Sequence, residues 1–407
     1  MGSRSRNEES HNLQKYGVPL YGAGWVPYDQ VIRSTHKPPK QQDDDDKEED
    51  QHGSKDEAVA DKSDDIRRNY YVVLAGGGGA GNSGIRNAVL LSHFDFASNS
   101  LSDQPVAELR TDSDLPYRMA IHPHGDGIIC ALQNSCRLFE WDEVENTEIR
   151  RLGVKISEKV LSQLENVGQQ LALTFDSEGT IFAAGSENGN LRVFKWPSLE
   201  IILNESEAHA SVKDLSFSPD GKFLVSLGNR GPGRVWDLAS SAVATPLAKE
   251  NDELFASCRF SPLNNEDYVL YIAAITDRGA SIVTWNTTTW KRIRTKQVVR
   301  EPVSSFNVSA DGKLLAVGTA SGDISIIDSS SLQVRTAVKK AHLGIVTALA
   351  FSYDSRLALV SASMDSSVRV TVIEDKKKSG GLNLWIIIFI LLLAMAAYFL
   401  KAKGIIP

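Results

Sequence analysis

Short runs of alternating apolar and polar residues recur along most of the chain, separated by turns rich in Gly, Asp, Ser and Asn. Alternation with a period of two predicts β-strands that have one buried face. The unit that opens at Phe217, FSPDGKFLVSL, shows an apolar run, a polar turn and a second apolar run. A Gly/Ser/Asn turn and a third run ending near Trp or Asp complete each unit. The pattern therefore predicts antiparallel meanders joined by tight turns.

The length of the repeat indicates the architecture. Successive units open at intervals of 42, 43, 46 and 45 residues, at the aromatic residues Phe175, Phe217, Phe260, Phe306 and Phe351. This spacing is typical of the four-stranded blades of WD-type propellers. A further copy starts at Met119, and the first copy is split between residues 17–29 and 69–79. We therefore predict an all-β fold, a seven-bladed β-propeller of degenerate WD-type repeats over residues 17–373, after an N-terminal tail of residues 1–16.

Fragments of the WD motif survive in some units. Ala-His209 and Ala-His342 stand where such repeats favour Gly-His, and Trp236 is followed by Asp as in the motif. We predict a His–Asp bond between His342 and Asp365 in the core of one blade, whereas His209 has no evident Asp. The last unit lacks an outer strand in this interpretation.

Negative charge is concentrated in an insertion that splits the first blade, which we place at residues 36–65. Residues 43–65 hold 12 acids and 3 lysines; removing this −9 from the chain's −7 leaves the rest at +2. Such a composition is typical of disorder. We interpret the segment as a solvated linker, with a cation- or partner-binding arm as the alternative. No stripe of Lys and Arg with aromatics occurs elsewhere, so no nucleic-acid partner is predicted.

The C-terminal segment predicts a membrane anchor. Residues 384–400, LWIIIFILLLAMAAYFL, carry no charge over 17 positions, and lysines flank them on both sides. Such a run, with Trp and Tyr near its ends, predicts one C-terminal transmembrane helix. We expect residues 374–383 to form a juxtamembrane linker and residues 401–407 a short lumenal tail.

The same features indicate a location. The start of the chain lacks the apolar stretch of a secretory signal, and its three cysteines cannot form a disulfide framework. We therefore expect the large N-terminal domain to lie in the cytosol. The short span favours a thin bilayer such as that of the endoplasmic reticulum.

Motifs for covalent chemistry are weak. Gly79 to Gly84 match the GxGxxG pattern of dinucleotide-binding loops, but the next residues predict a strand, whereas such a loop must open a helix. His122 and His124 replace Ser and Asp in a recurring turn, so we interpret them as structural and not as metal ligands. No Ser-His-Asp or Cys-His set can be placed on the repeats. The sequence does not support an enzyme that makes or breaks covalent bonds.

The glycine-rich segment from Ala75 to Asn87, AGGGGAGNSGIRN, is a candidate functional loop of the first blade. Four consecutive glycines are costly in backbone entropy, and a hairpin needs only one or two. A loop of this composition either lets the backbone approach another surface closely or points its carbonyls inward around an ion. A merely flexible loop is the alternative.

The chain resembles the endoplasmic-reticulum transmembrane exchange factors for Sar-type small GTPases, which start assembly of the COPII vesicle coat. The resemblance rests on Tyr16 to Ala23, YGVPLYGA, on the glycine-rich segment, on the degenerate propeller and on the C-terminal anchor. It implies a guanine-nucleotide exchange factor that acts on a Sar-type GTPase at the endoplasmic reticulum membrane, in transport to the Golgi. A non-catalytic scaffold on the same membrane, which assists the trafficking of membrane proteins, is the alternative.

The resemblance also implies roles for individual loop residues. The loop is expected to press against the GTPase and to bind a potassium ion, with no nucleotide bound by this chain itself. The residues expected to act in exchange are Asn82, Ile85 and Asn87. Those expected to shape the loop and hold the ion are Gly76, Gly77, Gly78, Gly79 and Gly84. Ala80 and Arg86 depart from the family pattern, in which a larger polar residue and a proline are common.

Overall fold

A computed structural model describes residues 11–35, 69–81, 83–146, 149–250, 253–262, 268–354 and 356–373, together with Leu392 and Met395. The chain forms two units, residues 1–372 and 373–407. The described part of the first unit contains seven antiparallel sheets. Each sheet is one blade of a seven-bladed β-propeller, which confirms the predicted all-β fold.

The strands follow one another blade by blade. The chain opens with β1 (Leu13–Lys15). The first blade comprises β2 (Leu20–Trp25), β3 (Tyr70–Gly76), β4 (Ala88–Asp95), β5 (Ser100–Leu101) and β6 (Ala107–Arg110). The second comprises β7 (Arg118–Ile121), β8 (Ile128–Ala131), β9 (Cys136–Asn146) and β10 (Ile149–Ile156). The third comprises β11 (Gln170–Phe175), β12 (Ile181–Ser186), β13 (Leu191–Lys195) and β14 (Ile201–Glu205).

The remaining four blades repeat this order. The fourth comprises β15 (Val212–Phe217), β16 (Phe223–Gly228), β17 (Gly233–Asp237) and β18 (Ala242–Leu247). The fifth comprises β19 (Leu254–Phe260), β20 (Val269–Thr276), β21 (Gly279–Asn286) and β22 (Arg292–Val299). The sixth comprises β23 (Val303–Val308), β24 (Leu314–Thr319), β25 (Ile324–Asp328) and β26 (Val334–Val338). The seventh comprises β27 (Val346–Phe351), β28 (Ala358–Ser363), β29 (Ser367–Val372) and β1.

Burial along the strands explains the sequence pattern. The second strand of a blade is covered on both faces, and every residue of β24 and β28 is buried. Outer strands are covered on one face, so that half-buried and exposed residues alternate along most of β22. Apolar runs therefore mark the middle of each blade, and the core lies between neighbouring blades.

The insertion splits the first blade as predicted. Strands β2 and β3 pair antiparallel, with Trp25 opposite Val72, although residues 26–69 separate them in the chain. Helix α1 (Tyr28–Thr35) follows β2, and its Val31 is buried. A short 3-10 helix (Ser162–Leu164) precedes the third blade. The predicted insertion of residues 36–65 lies outside the described residues.

The seventh blade obtains its outer strand from the beginning of the chain. Strand β1 pairs antiparallel with β29, with Leu13 opposite Arg369 and Lys15 opposite Ser367. This pairing corrects the expectation that residues 1–16 are a tail, since residues 13–15 complete the last sheet. A three-residue strand is too short to show a period in sequence, whereas pairing across the ring protects the edge of β29.

One end of the blades carries both the β3–β4 turn and the beginning of β29. Lys15 lies opposite Ser367, the first residue of β29, and the chain then runs directly to Leu20, which lies opposite Gly76 at the end of β3. We call this end of the propeller the loop face. Val372, the last residue of β29, lies at the other end of its strand.

The histidine network of the seventh blade differs in detail from the prediction. His342 Nδ1 lies 4.0 Å from Asp365 Oδ1, too far for a direct hydrogen bond, and 2.6 Å from the hydroxyl of Ser367. Because this hydroxyl donates to Asp365, it accepts from His342. The predicted His–Asp bond is therefore wrong as a direct contact, and a serine bridges the two residues.

The predicted anchor is almost entirely outside the described residues. Of residues 384–400 only Leu392 and Met395 are described, and both are helical. Across the described residues, no helix is long and apolar enough to cross a membrane. The predicted linker, residues 374–383, and tail, residues 401–407, also lie outside them.

Candidate functional site

The glycine-rich segment forms the turn between β3 and β4 in the first blade. At its start the backbone lies against the connection from β1 to β2, where the Gly77 amide donates to the Pro19 carbonyl over 2.9 Å. A Cβ on Gly76 would lie 2.0 Å from the same oxygen. Only glycine permits this approach, because any side chain at position 76 would displace Pro19.

Asn87 closes the turn from its other end. Its side chain is buried and pairs with both backbone groups of Gly79: Oδ1 accepts from the Gly79 amide over 2.9 Å, and Nδ2 donates to the Gly79 carbonyl over 3.1 Å. Nδ2 also donates to the carbonyl of Asp112 over 2.9 Å. The amide thus replaces the backbone pairing that ends at Gly76 and Ala88. We call these contacts the Asn87 clasp.

Glycine is required at these positions of the turn for two different structural reasons. Gly77 and Gly78 are packed, because an added Cβ would lie 2.2 Å from Asn87 Oδ1 in the first case and 2.3 Å from Ser83 Oγ in the second. Gly79 and Gly84 have open space but a positive φ of 82° and 72°. Crowding inside the turn selects the first pair, and left-handed backbone selects the second.

The outer part of the turn is exposed and carries one apolar side chain. Ile85 is 39% exposed, and Ser83 and Gly84 beside it are exposed as well. The Ile85 amide donates to Ser83 Oγ over 3.3 Å. Asn82, predicted to act in exchange, lies outside the described residues. Of the three residues predicted to act in exchange, Ile85 faces outward and Asn87 holds the turn from inside.

Arg86 joins the turn to two neighbouring segments. Its Nε lies 2.8 Å from Glu108 Oε1, and its Nη2 donates to the Tyr16 carbonyl over 3.2 Å. These two contacts give Arg86 a structural role at a position where the family pattern commonly has a proline. Sequence reasoning missed Glu108, since its partner is 22 positions away and no motif links the two.

The glycine-rich turn is the place where the resemblance predicts a potassium ion. Within the described ranges, no group of three or more His, Cys, Asp or Glu side chains could hold a metal ion. Asn87 Oδ1, the side-chain oxygen next to the glycine run, accepts a hydrogen bond from the Gly79 amide. This hydrogen bond uses one of the two lone pairs of the amide oxygen, so the expected potassium site stays a prediction.

The other motifs that could suggest chemistry occupy structural positions in the fold. The GxGxxG pattern leads into strand β4, so it lacks the helix that a dinucleotide site needs. His122 is buried, with Nε2 2.9 Å from the Gly179 carbonyl and Nδ1 accepting from the His124 amide, which confirms a structural role. All three cysteines are free and buried, and burial raises the pKa of Cys136 to about 12.

Six four-stranded blades and a five-stranded first blade, which carries the glycine-rich turn, make the described part of the chain a WD-type propeller. Residues 201–237 and 333–371 match the family "WD domain, G-beta repeat", which corresponds to parts of the third and fourth and of the sixth and seventh blades.

Known relatives narrow the class. SEC12-like protein 2 of Arabidopsis thaliana is 52% identical over 100% of this chain and 99% of the relative. SEC12-like protein 1 of the same plant is 30% identical over 78% of this chain and 79% of the relative. The chain belongs to the SEC12-like protein family. Guanine nucleotide-exchange factor SEC12 of Mus musculus is 26% identical over 56% of this chain and 60% of the relative.

Proposed function

We propose that this protein is a guanine-nucleotide exchange factor for a Sar-type small GTPase, acting on the endoplasmic reticulum membrane at the start of COPII vesicle formation. The observation that carries the proposal is the exposed Ile85 on a turn that the Asn87 clasp fixes from inside. The mouse relative, which is named a guanine nucleotide-exchange factor and is 26% identical, supports the proposal as a distant relative.

Exchange of this kind makes or breaks no covalent bond. The factor binds the nucleotide-free GTPase more tightly than the nucleotide complex, and this difference in affinity promotes release. A preorganised loop suits the task, because a turn that is already ordered loses little entropy on binding. Ile85 would supply apolar contact, while Asn87 and Gly76 to Gly79 would act as positioning residues.

A potassium ion is the cofactor of the proposal. An ion would be held by backbone carbonyls of the glycine run, which are oxygen donors of the kind that bind potassium. Such an ion would supply further rigidity. No step of nucleotide release is assigned to it.

The membrane location is also part of the proposal. Residues 384–400 would form the single-pass anchor, with the propeller in the cytosol. Residues 374–383 can span at most roughly 35 Å when fully extended, so the propeller would stay near the bilayer. A GTPase bound to the same membrane would then meet it at a raised effective concentration.

Release of a fluorescent guanine nucleotide from a purified Sar-type GTPase tests the proposal. The full chain in liposomes is expected to accelerate release. Ile85→Ala is expected to slow the accelerated rate roughly 5- to 150-fold, since burying this side chain in the complex would contribute about 1–3 kcal/mol. Ile293→Ala is the matched control, because Ile293 is 55% exposed on β22 of the fifth blade. A wild-type chain without effect at any concentration would leave the scaffold as the function.

A further inference from the structure

Two apolar side chains of the seventh blade are exposed on the loop face. Leu343 is 79% exposed, the highest fraction among the large apolar side chains in the described ranges, and Met364 is 45% exposed. Leu343 lies in the connection from β26 to β27, and Met364 lies in the turn from β28 to β29. Both segments adjoin the end of the blade where β29 begins, which is the end that carries the glycine-rich turn.

The backbone that carries these two side chains is held by hydrogen bonds. The Leu343 amide donates to Asp365 Oδ2 over 2.7 Å, and the Met364 amide donates to the Ile345 carbonyl over 3.4 Å. Just before Leu343, the buried His342 ring lies 2.8 Å from the hydroxyl of Ser361 and also contacts Ser367. The network that anchors the blade thus fixes the backbone from which Leu343 projects.

A short path of hydrogen bonds connects this pair to the glycine-rich turn. The Tyr16 amide donates to the Ser366 carbonyl over 3.2 Å, two residues after Met364. The Tyr16 carbonyl accepts from Arg86 Nη2 over 3.2 Å, and Arg86 is next to Ile85. One residue therefore lies between the two turns and bonds to both. The backbone segments that carry the exposed apolar side chains of the first and seventh blades are therefore linked by hydrogen bonds.

We propose that Leu343 and Met364 form a second contact for the same small GTPase that the Ile85 turn engages. This inference rests on the proposed exchange function and extends its site from the first blade to the seventh. Exposed apolar residues that cluster on one surface mark interaction sites, and a backbone already ordered beneath them loses little entropy on binding. The partner surface is apolar opposite this pair. The second contact contributes to docking, whereas the Ile85 turn acts on nucleotide release.

Exchange kinetics and direct binding separate the two contacts. Leu343→Asp and Met364→Asp, each in the full chain in liposomes, are expected to raise the KM for the GTPase about tenfold or more with a smaller change in kcat. Leu343→Ala should act in the same direction with a smaller effect, and Ile85→Asp should lower kcat. Ile293→Asp is the matched control for a charge on an exposed position far along the ring. Thermal unfolding monitored by circular dichroism verifies that each variant is folded.

The outcomes distinguish the inference from the function on which it rests. If the wild type accelerates release, Ile85→Asp is inactive and both seventh-blade variants behave like Ile293→Asp, the second contact is wrong and the exchange function stands. If the wild type binds the nucleotide-free GTPase without accelerating release, and Leu343→Asp weakens this binding tenfold, the contact stands and the exchange function fails. A wild type that neither binds nor accelerates release overturns both.

Discussion

The side-chain amide of Asn87 pairs with the backbone amide and carbonyl of Gly79, over 2.9 and 3.1 Å. This is the pattern of a β-ladder pair in which a side chain takes the place of one backbone. Strand pairing ends at Gly76 and Ala88, so the clasp holds residues that the ladder leaves unpaired. The turn of residues 77–87, which holds five glycines, is thereby closed between Gly79 and Asn87 without a core of its own.

Removing the donor half of the clasp should release the turn. In Asn87→Asp, a carboxylate oxygen replaces Nδ2 and faces the carbonyls of Gly79 and Asp112, so two hydrogen bonds become repulsive contacts. We expect unfolding in urea to show a loss of about 1–3 kcal/mol, and exchange to fall at least tenfold. Asn286→Asp is the control, because Asn286 accepts hydrogen bonds from the Thr288 and Thr289 amides through Oδ1, an oxygen that aspartate retains. Wild-type exchange by Asn87→Asp would contradict a role of the clasp in activity.

The glycines should differ in their tolerance of a methyl group. In Gly78→Ala the new Cβ would lie 2.3 Å from Ser83 Oγ and 2.7 Å from Ile85 Cβ, so the exposed part of the turn must move. Gly81→Ala meets nothing within 4 Å and is the control. We expect exchange to be lost in the first variant and kept in the second, while both melt within a few degrees of the wild type. Equal activity of the two variants would indicate a merely flexible turn.

Potassium dependence can be measured on the same turn. The resemblance predicts faster exchange in potassium than in lithium at equal ionic strength, because an ion held by glycine carbonyls would add rigidity to the turn. The Asn87→Asp variant should depend on the cation more strongly than the wild type, since it has lost the clasp. Identical rates in both salts for both proteins would rule out the ion, and the clasp alone would then account for the ordered turn.

The number and order of the blades could be predicted because each depends on local patterns. Alternation with a period of two marks the strands, and the aromatic residues from Phe175 to Phe351 set the repeat. The split of the first blade could also be predicted, since two strand patterns flank one acidic segment. The pairing of β1 with the seventh blade could not be predicted, because three residues show no period and their partner, β29, lies at the other end of the propeller sequence.

The sequence could identify the glycine-rich turn as the candidate site, but it could not assign a role to each residue of the turn. Four glycines in a row indicate close approach of backbone, and Gly77 does approach Pro19 as that implies. The role of Asn87 depends on Asp112, 25 residues away, and no sequence pattern connects them. The bridge that Ser367 forms between His342 and Asp365 could not be predicted from the sequence either, since a serine is also common in strands. Long-range hydrogen bonds decide these roles, whereas local patterns decide the strands.

Stability should fall as the pH drops from 7 to 5, because two histidines are held neutral in the fold. Burial lowers the pKa of His342 to about 4, and burial beside Arg234 does the same for His209, which lies 2.8 Å from the hydroxyl of Ser226. In the unfolded chain these two imidazoles take up protons near pH 6.5, whereas in the folded chain they do not until about pH 4, so protons favour unfolding in this window.

The size of this effect can be assigned by substitution. The buried His342 should account for roughly 2 kcal/mol of the loss in unfolding free energy at pH 5. His342→Gln is expected to be less stable than the wild type at pH 7, since it loses ring contacts to Ser361 and Ser367, yet its loss between pH 7 and 5 should be smaller by about that amount. Urea unfolding at the two pH values gives both numbers, and His124→Gln, on an exposed turn, controls for the removal of one imidazole. An unchanged pH dependence in His342→Gln would mean that this ring is not the group that couples folding to protons.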